Sequence, residues 1–68
     1  MRINRVTLAA ELARRDWGNK RLGELAGLSA ATLSAVRGGK SVYPITAMKI
    51  AEALNIPLER LIEKEMMK

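Results

Sequence analysis

Apolar residues recur at helical spacing along the chain, and glycine, proline and capping residues break the recurrence at short intervals. The pattern predicts an all-α fold of five short helices. The first is expected from Asn4 or Thr7 to Arg15, either residue being able to cap it, with Val6, Ala9, Leu12 and Ala13 turned inward. Met1 to Ile3 read as either a frayed end or a short extended piece. Trp17 and Gly18 interrupt the periodicity, and the indole is expected to cover the junction of the first two helices. A second helix spans Asn19 to Ala26, capped by Asn19 or Gly18. A third follows Ser29, with Ala30, Ala31 and Thr32 in its first turn, and reaches about Arg37, where Gly38 and Gly39 end it. After a loop from Lys40 to Tyr43, Pro44 suits the first position of a fourth helix. Ile45, Met48, Ala51 and Leu54 recur there at three-residue intervals, with Ile50 beside them. Asn55 stops that helix, and Pro57 opens a fifth whose apolar face is Leu58, Leu61 and Ile62, extended by Met66.

The stretch from Asn19 to Gly38 is the most informative. Leu22 and Leu25 give its first helix a buried side, and Leu33 and Val36 do the same for its second. Gly27 is expected in the left-handed region, where a side chain costs about 1 kcal/mol or more. Leu28 plugs the corner, and Ser29 caps the third helix. Two helices joined by so short a corner are the form in which small domains present one helix to the major groove of DNA.

Charge sharpens this picture. The 68 residues carry a net charge of +5. Residues 1–40 hold eight basic and three acidic groups and residues 41–68 four of each, so all the excess lies in the part that contains the helical pair. That distribution suits a polyanionic partner. The absence of cysteine and histidine removes disulfides, the usual zinc sites and thiol or imidazole catalysis. The remaining acids and bases form no catalytic constellation, so no enzyme activity, metal or cofactor is expected, nor any small-molecule ligand. No stretch approaches the ~20 apolar residues of a membrane span, and no signal-peptide block opens the chain. A single domain over residues 1–68, located in the cytoplasm, is therefore expected.

In Leu22-Gly23, Gly27-Leu28-Ser29, Thr32-Leu33-Ser34, Val36, Gly39-Lys40 and Lys49 to Leu54, the chain resembles the phage repressor and Cro-like helix-turn-helix family. The resemblance covers roughly residues 6–62. It implies a compact five-helix, lambda-repressor-like domain that binds pseudo-palindromic double-stranded DNA as a homodimer and controls transcription, usually as a repressor. By position, it implies that Asn19 touches the DNA backbone and that Ala30, Ala31, Thr32, Ser34 and Ala35 face the bases. Gly23 stands where the family favours alanine, and Arg37 where an acidic residue is common.

The basic candidates for phosphate contact are Lys20, Arg21, Arg37 and Lys40, with Arg14 or Arg15. The base-facing set is poor in the arginine, lysine, asparagine and glutamine side chains that make bidentate base contacts. Specificity is accordingly expected to draw on close helix insertion, DNA shape, water, and Lys40 or Arg37 reaching in from the loop. Leu58, Ile62, Met66 and Met67 are the candidates for a dimer surface, with Leu58 and Ile62 equally able to serve the core. The competing reading is an antitoxin-like or adaptor module that uses the same scaffold to grip a protein.

Overall fold

Capping chemistry sets the boundaries of the helices. The computed structural model describes residues 1–63, and among them lie α1 (Arg5–Arg15), α2 (Asn19–Ala26), α3 (Ala30–Arg37), α4 (Pro44–Leu54) and α5 (Leu58–Leu61). Asn4, not Thr7, caps α1: its side-chain oxygen accepts the Thr7 N–H at 3.1 Å. Asp16 then reverses the chain at φ 57°. Gly18 caps α2. Pro44 begins α4 as expected, and Asn55 closes it at φ 58°. Pro57 precedes α5 as its cap and does not enter the helix.

The largest wholly buried side chains are Ile3, Leu8, Leu22, Leu33, Ile50, Leu54, Leu61 and Val36. Helix α4 stands at the centre, packed against α2 and α5, while α3 packs on α2 and α1 on α5. Trp17 is half-buried against this core. Leu58 and Ile62 are also half-buried against it. Met66 and Met67 lie outside the described residues.

Three inner faces differ from the sequence reading. In α1, Val6, Ala9 and Ala13 are exposed, and Leu8, Glu11 and Leu12 turn inward. In α2, Leu25 is exposed, and Leu22, Gly23 and Ala26 are buried. In α4, Ile45 and Met48 are exposed, and Ala47, Ile50, Ala51 and Leu54 form the wall. The last difference has a geometric cause. Each residue turns a helix by about 100°, so strict three-residue spacing drifts about 60° per step and puts Ile45 opposite Leu54.

Burying Glu11 requires partners. Arg15 Nη1 donates to its carboxylate and, at 3.0 Å, to its backbone carbonyl. Arg14 Nη1 lies 3.2 Å from the carboxylate and Arg60 Nη2 3.9 Å away. The Arg15 hydrogen bond holds the Glu11 carboxyl below the usual carboxylate range, against the opposing effect of burial and with help from the charges of Arg14, Arg15 and Arg60. Arg15 Nη2 also donates to the Leu54 carbonyl at the end of α4, and its guanidinium lies 5.7 Å from the centre of the Trp17 ring.

The first residues form the short extended piece. Ile3 pairs with Ile62 in an isolated antiparallel bridge, flanked by Asn4 N–H to Leu61 O and Glu63 N–H to Arg2 O, both at 2.8 Å.

Candidate nucleic-acid interface

The corner between α2 and α3 is built around one carbonyl. Gly27 occupies the left-handed region at φ 70°, and its N–H points back to the Gly23 oxygen. That oxygen also accepts the Leu28 N–H at 2.9 Å. These bonds satisfy the last turn of α2 and send the chain sharply into α3. The Ser29 side-chain oxygen accepts the Thr32 N–H at 3.2 Å, and its hydroxyl donates to Thr32 Oγ1 at 3.0 Å. Gly23 lets the two helices meet closely. A Cβ at this position would stand 3.0 Å from both the Leu28 carbonyl oxygen and Leu33 Cδ1.

Leu33 and Val36 anchor α3 in the core, which leaves Ala30, Ala31 and Ser34 exposed together on its outer side. At about 100° per residue these three lie within an arc of about 100° on the helix. Thr32 and Ala35 are half-buried and follow that face on its Ala31 side. The anchoring side chains thus also fix which side of α3 can meet a partner.

Cations stand at both ends of the pair. Lys20 and Arg21 are exposed in the first turn of α2, and Arg37 and Lys40 are exposed at and beyond the end of α3. Arg37 Nη1 donates to Asn19 Oδ1 at 2.6 Å, joining the start of α2 to the end of α3. Arg14 differs from the others in being committed to the Glu11 carboxylate. The sequence reading overlooked Arg5. Its side chain crosses Gly39, where a Cβ would lie 3.3 Å from Arg5 Nε, and so adds a positive group beside Lys40. Only its charge marked it in the sequence.

A corner built in this way, with an anchored second helix and cations at both ends, invites comparison with known proteins. The profile of the Cro/C1-type HTH DNA-binding domain matches residues 7–65. The chain belongs to that family. No curated protein and no solved structure matches it. As a Cro/C1-type domain it is a DNA-binding module of transcriptional regulation. No helix among the described residues is long and apolar enough to cross a membrane.

Proposed function

We propose that this Cro/C1-type domain is a sequence-specific regulator, acting as a homodimeric repressor on a pseudo-palindromic operator. The supporting observation is the exposed face of α3, Ala30, Ala31 and Ser34, on a helical pair whose cation-bearing ends, the start of α2 and the end of α3, are joined by the Arg37–Asn19 hydrogen bond. This face enters the major groove, with Thr32 and Ala35 along its Ala31 side. Asn19, Lys20, Arg21, Arg37 and Lys40 engage phosphates, and Arg5 belongs with them by position. Arg14 contributes less, being held by Glu11.

The face is nearly free of side-chain length, so the backbone of α3 approaches the bases closely. Methyl groups meet thymine methyls, and the Ser34 and Thr32 hydroxyls make single hydrogen bonds. Discrimination then comes from many small contributions and from DNA shape. The exposed portions of Leu58 and Ile62 supply the described part of the dimer contact.

Selection of bound fragments from random duplex DNA, followed by titration at two salt concentrations, tests the reading. A recovered inverted repeat, with affinity falling steeply as salt rises, is the expected result. Each phosphate contact removed by substituting Lys20, Arg21 or Lys40 lowers the salt slope by about 0.9. No duplex binding at low salt would defeat the reading and favour the protein-gripping alternative.

A further inference from the structure

The Arg37–Asn19 hydrogen bond fixes what Asn19 can offer to a partner. An amide side chain is ambivalent: one end accepts hydrogen bonds and the other donates two. Free at a surface, it rotates to suit whatever it meets. A guanidinium has donors and no acceptor, so the Asn19 atom 2.6 Å from Arg37 Nη1 must be the oxygen. The acceptor is therefore occupied and turned toward α3, and the NH2 group is left as the unengaged end.

A phosphate oxygen accepts hydrogen bonds and does not donate them. An asparagine locked in this orientation suits it, whereas a freely rotating one must first be ordered at a cost in entropy. Arg37 stands where the resembled family commonly has an acidic residue. A carboxylate there would accept from the Asn19 NH2 and turn the amide oxygen outward, against the phosphate. We propose that Arg37 is a positioning residue: by holding Oδ1 it makes Asn19 a donor-only contact for the DNA backbone and joins the two helices into one phosphate-gripping unit. This inference rests on the reading of Asn19 as a backbone contact.

The test is a double-mutant cycle on the full chain, using Asn19→Ala, Arg37→Met and both together. A labelled short duplex of mixed sequence serves as probe, since phosphate contacts do not depend on base identity. Both side chains are exposed, and thermal melts check that every variant remains folded. Asn19→Ala is expected to weaken binding about tenfold, in the range of a charge-assisted hydrogen bond. Once Asn19 is absent, Arg37→Met should lose much less than in the parent, giving a coupling of about fivefold. Asn19→Asp keeps the acceptor for Arg37 but has no donor, and it should bind no better than Asn19→Ala.

Losses that simply multiply would overturn the inference, leaving Arg37 to act on the DNA backbone without any effect through Asn19. Parent-like binding by Asn19→Asp would overturn it as well. A parent-like Asn19→Ala would instead remove the underlying reading of Asn19, and the positioning role with it.

Discussion

The carbonyl oxygen of Gly23 accepts the Leu28 N–H at 2.9 Å, while the Leu28 carbonyl oxygen stands 3.0 Å from where a Gly23 Cβ would be. The two residues thus hold each other in both directions across the corner. Alanine at position 23 gains about 1 kcal/mol in helix propensity over glycine. Crowding of a packed site typically costs about 1–3 kcal/mol, and one of the crowded atoms here is backbone that the corner holds in place. Gly23→Ala should therefore be net destabilising, by up to about 2 kcal/mol, and Gly23→Val more so. Urea unfolding measures both. An alanine variant more stable than the parent by the full propensity difference would show that the helices separate freely.

Gly27 supplies the contrast. No atom lies within 4 Å of a Cβ built there, yet its φ is 70°. The cost of a side chain is conformational and not steric. Gly27→Ala should lose about 1–2 kcal/mol, and Gly27→Asn clearly less, since asparagine tolerates this region. Equal losses in thermal melts of the two variants would contradict that account.

Glu11 makes stability depend on acidity. Its folded pKa lies below the ordinary value of 4.5, so the unfolded chain takes up the proton first as pH falls. The stabilisation is fully present above that value and disappears as pH falls through the lower, folded pKa. Melting temperatures of the parent and Glu11→Gln should differ most near neutrality and converge below pH 4.5. A constant difference across that range would remove Glu11 as the source.

Arg15 acts at three places, donating to the Glu11 carboxylate and the Leu54 carbonyl and lying over Trp17. Arg15→Ala leaves a buried carboxylate with weaker partners and an end-of-helix carbonyl without its donor, a loss of about 2–4 kcal/mol. Arg15→Lys keeps the charge without the fork that reaches both oxygens, and should fall between. Denaturant midpoints rank the three proteins. A lysine variant equal to the parent would mean that charge alone suffices.

Local chemistry explains which features were legible in the sequence. Gly27, Pro44 and Asn55 act through their own backbone and Ser29 through a side-chain bond three residues along, and each sits where the sequence places it. Inner faces depend on neighbours far along the chain. In α1 the alanines suit either side, and a glutamate occupies a core position because arginines from two helices reach it. Nothing in the apolar pattern of α1 announces that arrangement. In α4 two stripes share Ala51 and Leu54, and packing against α2 and α5 selects the one containing Ala47 and Ile50. The Arg37–Asn19 bond was hidden for a similar reason, since it joins residues that become neighbours only after the corner has formed.

The bridge between Ile3 and Ile62 has a kinetic meaning. It joins positions separated by almost the whole described chain, so its closure requires the helices between them to be roughly in place. Helix α5, only 4 residues long, is too short to persist alone and should acquire exchange protection together with the Asn4 amide that bonds Leu61. A small helical domain built from local contacts alone would assemble its pieces in any order. Here the opening residues form a latch across the last helix, adding non-local backbone bonds to its packing on α4.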